Sequence, residues 1–378
     1  MTPVELFVFG PLAEAATFEA VTGRPPGGRP AWLPGHAMVG APDAEPALVA
    51  QEGAAVEGLL VPPLTGAEAA RLAAYGAALG HRGRAARVIP EGDAPRMARL
   101  QSPEAAPGAP AWDRSAWRAG QGARWAFMAG EIADHAPPLS PQSFARQSAM
   151  IAARASARCR AARAPAPATL RHDAAPQDAA WRLDAPLSGE FFKLATMRVS
   201  HRRFDGGRNE ALPREVLVGV DAALVLPYDP ARDRVLMVEQ FRSGPMRRGA
   251  ANPWSLEPVA GIVDAGETPQ EAGLREAREE AGLDLGTLIP IFDGYPSPGA
   301  SSDHFHCFLA IADLPQEESW RGGLPEEHED LRLHAVPFER AMALAQSGEI
   351  DVIPMLAMLY WLAGQRARLR AEARGTVP

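Results

Sequence analysis

The chain has 378 residues, 47% hydrophobic and 22% charged, with a net charge of −8 at neutral pH. That length suits two domains, and the composition is that of an ordinary soluble globular protein. The negative balance argues against nucleic acid or an anionic membrane surface as partner, and two distant cysteines, Cys159 and Cys307, exclude a disulfide framework or a cysteine-based zinc site.

The N-terminus lacks the basic stretch of a signal peptide, and no apolar run reaches the roughly 18–20 residues needed to span a bilayer. A cytoplasmic location is expected. Residues 4–9 read as a strand ending at Gly10-Pro11-Leu12, residues 13–22 as a helix, and 59–61 and 87–89 as further strands. Residues 65–79 read as a capped helix. This order predicts a small α+β or barrel-like domain. Residues 90–110, rich in Pro, Gly and Ala, read as loop. Trp112, Trp117, Trp125 and Phe127 lie in a partly helical stretch and are assigned to packing. A helix over 140–162 has Ser140 as N-cap and Pro141 at its first position. Ala164-Pro165-Ala166-Pro167-Ala168 is a stiff linker. The expected division is a first domain over 1–163, a linker over 164–180 and a second domain over 181–378.

In the second half, residues 181–204 read as strand, turn, strand, followed by a hairpin turn at Asp205-Gly206-Gly207. Residues 216–227, 234–240, 254–260, 287–292, 304–311 and 331–336 read as strands, and 337–346 and 354–373 as helices. Mixed strands flanked by helices predict an α/β/α sandwich. His304 and His306 alternate along one strand and are read as strand residues rather than metal ligands.

Within this half, residues 268–281 are rich in Glu, Ala, Arg and Leu, good helix formers. Thr268 serves as N-cap, Pro269 suits the first turn and Gly282 the stop. Glu276, Glu279 and Glu280 stand at i, i+3 and i+4, so their carboxylates share one face. Three like charges there repel unless cations neutralise them, and hard divalent ions such as Mg²⁺ take oxygen ligands. Arg275 is spaced i, i+4 from Glu279, and Glu267 is placed to reach back to it.

Residues 261–283 match, at nine positions, the Nudix box G-x5-E-x7-R-E-U-x-E-E-x-G-U, through Gly261, Glu267, Arg275, Glu276, Ala277, Glu279, Glu280, Gly282 and Leu283. A chance match has odds on the order of 10⁻⁹ per start at average composition. Residues 190 to about 370 resemble the ADP-ribose pyrophosphatases of the Nudix superfamily. The carrying segments are Ser200-His201-Arg202-Arg203-Phe204, Leu226-Pro227-Tyr228-Asp229-Pro230, Val238-Glu239-Gln240-Phe241-Arg242 and Leu256-Glu257-Pro258-Val259-Ala260-Gly261. Pro298, 15 residues past the box and followed by Gly299, marks that subgroup, and Gly323-Leu324-Pro325-Glu326-Glu327-His328-Glu329-Asp330 matches its acidic loop.

The resemblance implies hydrolysis of the pyrophosphate of ADP-ribose to AMP and ribose 5-phosphate, with Mg²⁺ as cofactor and Mn²⁺ as a substitute. It implies metal ligation by Glu276 and Glu280, with Glu279, the Ala260 carbonyl and Glu329 completing the shell. Glu327 matches the general base, with Glu326, Glu329 and Asp330 as neighbouring alternatives. Arg242 matches a residue holding a substrate phosphate, Arg214 one on the adenosine side, and Phe191 or Phe192 an aromatic stacked on adenine from the partner subunit. Asp303 stands where the family has a glutamate at the terminal ribose, one methylene longer. A homodimer with residues 181–204 exchanged is implied. Another nucleoside diphosphate sugar, or binding of ADP-ribose without turnover, are the alternatives.

Residues 4–90 resemble the gamma-glutamylcyclotransferase-like fold through Phe7-Val8-Phe9-Gly10-Pro11-Leu12, Val21-Thr22-Gly23-Arg24, Val56-Glu57-Gly58-Leu59-Leu60 and Leu72-Ala73-Ala74-Tyr75. Gly76 stands where that family has its catalytic glutamate, and Pro11 replaces a hydroxyl residue and lacks an N–H donor. A non-catalytic copy is therefore expected. The pairing of the two domains resembles bacterial proteins associated with tellurite resistance.

Overall fold

The structure is a computed structural model and describes residues 5–324 and 329–375. Its contacts divide the chain into two compact units, Met1–Val216 and Leu217–Pro378.

In the first unit, β1 (Leu6–Phe9), β2 (Arg29–Val39), β3 (Ala47–Val61), β4 (Arg82–Pro90) and β5 (Arg96–Ser102) close into a barrel in the order β1-β3-β2-β4-β5. The helices are α1 (Ala15–Thr22), α2 (Gly66–Ala78), α3 (Arg114–Gly120), α4 (Gly122–Ala133) and α5 (Pro141–Arg163). Thr65 caps α2 in a reciprocal box with Glu68, and Ser140 caps α5 with Pro141 in its first turn, as the sequence predicts. Trp112, Trp117 and Trp125 are buried in one cluster with Phe18, Tyr75 and Ile151, so the aromatic stripe is core.

Two strands depart from the sequence reading. Residues 96–102 form β5 rather than loop; Ala98 and Leu100 point inward while Met97 and Arg99 point outward, a short alternation hidden by flanking Pro and Gly. β2 carries Pro30 and Pro34, which normally weigh against a strand. Pro34 sits at a register shift against β3, where a missing N–H is tolerated.

Further along, β6 (Ala179–Leu183), β7 (Lys193–Arg202) and β8 (Arg208–Val218) form a three-stranded sheet. The β7–β8 turn uses Gly206 at φ +86°. Lys193 is buried and donates to Gln147 Oε1 and to the Gly189 carbonyl, both at 2.7 Å, so the start of β7 is tied to α5.

The second unit contains β9 (Asp221–Asp229), β10 (Arg234–Phe241), β11 (Trp254–Glu257), β12 (Val259–Ile262), β13 (Leu288–Gly294), β14 (His304–Ile311), β15 (Ser319–Gly322) and β16 (Leu331–Pro337). Its helices are α6 (Ser243–Arg248), α7 (Pro269–Ala281), α8 (Phe338–Ser347) and α9 (Ile353–Ala373). The sheet runs β13-β14-β9-β10-β16-β15, with β11 paired to β10 and β12 to β9. β14 lies parallel to β9, and the other pairings are antiparallel, so the sheet is mixed.

Alternation along the central strands feeds two cores. Ala223, Val225 and Phe308 pack with Ala272, Ala277 and Ala281 of α7 on one face. Leu224, Leu226 and Cys307 pack with Ala341 of α8 and Met355, Met358 and Leu362 of α9 on the other. This is the α/β/α layering expected from the sequence. The stretch 216–227 is not one strand: it breaks at Gly219, where any side chain would collide with the Asp303 carboxylate. Pro258 likewise divides 254–260 into β11 and β12. The short β15 and α6 have no periodic signal and were not predicted.

Candidate active site

α7 sets the geometry. Thr268 accepts from the Glu271 N–H, Glu271 returns the bond to the Thr268 N–H, and Gly282 ends the helix at φ +66°. The apolar positions Ala272, Ala277 and Ala281 hold it on the sheet, which leaves Glu276 and Glu279 turned toward Arg275 and Glu280 buried.

Arg275 joins the loop to the helix. Its Nε and Nη2 donate to the two Glu267 oxygens at 2.8 and 3.0 Å. Nη2 also donates to the Ile262 carbonyl at 3.0 Å, and Nη1 to Glu276 Oε1 at 2.7 Å and Glu279 Oε2 at 3.0 Å. The expected Glu267–Arg275 and Arg275–Glu279 pairs are therefore both present.

Glu280 is 3% exposed and accepts the Ala260 N–H at 3.2 Å. Burial, opposed by that bond and reinforced by the charges of Glu276 and Glu329, pushes its carboxyl up to about 8. Glu276 is raised as well; burial is the largest cause and outweighs its ion pair with Arg275. Glu329 accepts the Leu324 N–H at 3.2 Å, and its charge acts on Glu276, Glu280 and Arg242. Arg242 donates from Nε and Nη2 to the two Glu257 oxygens at 2.9 and 2.6 Å, a bidentate pair. Six carboxylates, Glu257, Glu267, Glu276, Glu279, Glu280 and Glu329, thus share two guanidinium groups, Arg242 and Arg275.

The donor set suits a hard divalent cation. It is all carboxylate and carbonyl oxygen, it is under-neutralised, and it has a backbone cradle. A methyl group at Gly261 would overlap the Glu276 carboxylate, so glycine is what lets that side chain lie against β12. Glu276, Glu279, Glu280, Glu329 and the Ala260 carbonyl are the groups that would hold the ion.

Other predicted residues fall in different places. Glu327 and its alternative Glu326 lie outside the described residues. Pro298 and Gly299 lie in a turn in which the Ala300 and Ser301 N–H groups bond the Ser297 carbonyl. Asp303 accepts from the Val220 N–H at 3.1 Å and from the Ser301 hydroxyl, so both oxygens have partners within the chain. Arg214 bonds the Pro213 carbonyl at 2.8 Å and belongs to the first unit, as do Phe191 and Phe192. Those two rings are 53% and 56% exposed and pack edge to face with centroids 4.9 Å apart.

Two features were missed. Glu257, a lone acid closing the apolar strand Trp254-Ser255-Leu256, is the partner of Arg242 and is buried. Its signal was that isolated charge at a core position. A hollow of about 340 Å³, lined by Glu239, Asn252, Trp254, Arg321, Asp330, Leu331 and Arg332, borders the Glu329 loop. It is assembled from four separated segments, which no local pattern reveals.

The family profile of the NUDIX domain matches residues 219–357. A Haemophilus influenzae protein named ADP-ribose pyrophosphatase is 36% identical over 182 residues, spanning 48% of this chain and 83% of that one. The Escherichia coli K12 protein of the same name is 35% identical over 182 residues, 48% and 86% of the two chains. A Salmonella arizonae protein named GDP-mannose pyrophosphatase is 34% identical over 179 residues, 47% and 92%. The alignments span about half of this chain and most of each relative's own length. The box on α7, the mixed sheet between helical layers and these relatives together make this chain a member of the Nudix family.

Proposed function

We propose that the chain hydrolyses the pyrophosphate of ADP-ribose to AMP and ribose 5-phosphate with Mg²⁺ as cofactor, Mn²⁺ serving in its place. The observation that carries the reading is the under-neutralised carboxylate cluster of α7 beside the Arg242–Glu257 pair, in a chain similar over 182 residues to proteins named ADP-ribose pyrophosphatase. A bound divalent ion supplies charge neutralisation at the phosphate oxygens and lowers the pKa of water. Glu276 and Glu280 hold it, with Glu279, Glu329 and the Ala260 carbonyl around them. Arg242 offers a planar fork to a phosphate, in competition with Glu257. Glu327 takes the proton of the attacking water.

The similarity to proteins named GDP-mannose pyrophosphatase favours a second reading, another nucleoside diphosphate sugar as substrate. A panel of nucleoside diphosphate sugars with Mg²⁺, read by phosphatase-coupled phosphate release, separates the two. ADP-ribose left intact while another sugar nucleotide turns over would sink the first reading. Binding of ADP-ribose with no turnover of any compound would favour a sensor.

The domain scheme 1–163, 164–180, 181–378, with residues 181–204 exchanged between the two chains of a homodimer, belongs to the same proposal. Trp181, Phe191, Phe192, Leu194 and Phe204 are exposed large apolar side chains in that stretch, which supports a covering partner. Phe191 or Phe192 would then stack on adenine in the partner's site, Arg214 would face the adenosine side, and Asp303, Pro298 and Gly299 would border the ribose. Sedimentation that gives a monomer at assay concentration would overturn the exchange.

The first domain we read as a non-catalytic copy of the gamma-glutamylcyclotransferase-like fold. Gly76 has Gln101 against it, and the cavity beside Phe9, Glu45 and Gln101 holds only about 10 Å³. Both support loss of a substrate site. A cytoplasmic location belongs to the same proposal; separately, among the described residues no helix is long and apolar enough to cross a membrane.

A further inference from the structure

Asp221 opens β9, and His304, in register with it, opens the parallel strand β14. Side chains alternate along a strand, so His304 and His306 share one face, the face of Asp221 and Ala223. One ligand atom from each of Asp221, His304 and His306 lies within 4.8 Å of the others. Asp221 is buried and both histidines are half-buried.

The His306 ring lies between two carboxylates. Its Nδ1 is 3.2 Å from Asp293 Oδ2 on β13, and its Nε2 is 3.4 Å from Asp221 Oδ2. The His304 ring stands next to it, centroids 5.0 Å apart, with Tyr295 on its other side at 4.8 Å. A neutral imidazole has a single N–H. If that N–H serves Asp293, the shorter contact, Nε2 presents a lone pair to the Asp221 carboxylate. Two acceptors then face each other across 3.4 Å. That gap exceeds the roughly 2.7–2.9 Å of a charge-assisted hydrogen bond. It matches the ~3.4 Å between two ligand atoms that each lie about 2.1 Å from a tetrahedral ion. A carboxylate on the far nitrogen is also the usual device that orients a metal-binding histidine. A protonated His306 would satisfy both acids, and a dication at Nε2 would take the place of that proton between His306 and Asp221.

We propose that Asp221, His304 and His306 bind a Zn²⁺-like dication, with Asp293 orienting His306. Two imidazole nitrogens and one carboxylate oxygen suit Zn²⁺ rather than Mg²⁺, and three protein ligands leave one tetrahedral position open. The site differs in donor set from the all-oxygen cluster on α7, and it holds whatever the substrate of that cluster is. The bound ion cross-links the starts of β9 and β14.

The test is Co²⁺ titration of the full-length protein in saturating Mg²⁺. The expected result is one equivalent bound with the intense visible bands of tetrahedral, nitrogen-ligated Co²⁺, displaced by Zn²⁺. His304→Ala and His306→Ala abolish the bands, Asp293→Asn weakens binding about 10–100-fold, and Glu280→Gln leaves them in place. Imidazole ¹⁵N NMR of the unmodified protein gives a readout independent of any variant's folding: Zn²⁺ shifts both histidines. Two silent imidazoles, no stoichiometric Co²⁺, or bands lost only with Glu280→Gln would each overturn the proposal.

Discussion

In the first unit, Arg154 is buried with Glu131, donating to its carboxylate from Nε at 3.1 Å and from Nη2 at 2.6 Å, while Nη1 serves the Phe191 carbonyl at 3.1 Å. Lys193 is buried close by, on Gln147 and the Gly189 carbonyl. In the second unit, Glu280 is buried among further carboxylates, and among the described residues the Ala260 N–H is its hydrogen-bond donor. The first centre closes its electrostatics with its own side chains and carbonyls. The second leaves negative charge for something outside the chain to neutralise. A buried charge whose partners are all internal serves packing, and one left short of counter-charge marks a place for a ligand.

Each substitution below attacks one side of that contrast. Glu131→Gln strands the Arg154 guanidinium and should cost the first unit about 3–5 kcal/mol, the scale of a broken buried ion pair, seen in its urea transition. Glu280→Gln should do the reverse. It puts a neutral amide where a buried acid has to shed its proton to take a metal, so stability without metal holds at neutral pH and rises where Glu280 would be ionised, while kcat with Mg²⁺ falls on the order of 10²–10³-fold. A variant with near-normal kcat would refute the ligand role of Glu280. Gly261→Ala displaces the Glu276 carboxylate and should weaken Mg²⁺ binding about 10–100-fold, measured by the Mg²⁺ dependence of rate.

pH separates the two centres by sign. Burial, with the charges of Lys193 and Arg154, holds His135 down at about 4 from an ordinary 6.5. Between those values the unfolded chain binds the extra proton, so the first unit loses stability as pH falls from 6.5 to 4. Glu280 stands at about 8 against an ordinary 4.5, and in that window the folded chain holds the extra proton. The metal-free second unit therefore loses stability as pH rises from 4.5 to 8, while Mg²⁺ affinity climbs as the proton leaves. Melting curves across that range with chelator, and again with Mg²⁺, check both signs, and Glu280→Gln should flatten the second. The smallest effect is common to both units: Thr65→Ala and Thr268→Ala each remove a capping-box acceptor and should cost about 1 kcal/mol, with no difference between them.

The local chemistry of the second unit was legible in the sequence. Spacing alone placed Glu276, Glu279 and Glu280 on one helical face, paired Arg275 with Glu267 and Glu279, and set Thr268 and Gly282 as the ends of α7, because one helical turn dictates neighbours three and four residues apart. In the first unit the same logic found α2 and α5 but not β5 or β2, whose signals are short or carry proline. Tertiary structure alone decided which acid meets which base across strands. Glu257 came to Arg242 because β11 pairs with β10, and Asp221 met His304 because β14 lies parallel to β9. It also decided that Glu280, and not its neighbour Glu279, is the buried carboxylate, since Glu280 lies against β12, where it accepts the Ala260 N–H. Periodicity reports the face a residue takes, and only the packed neighbours report how much water that face keeps.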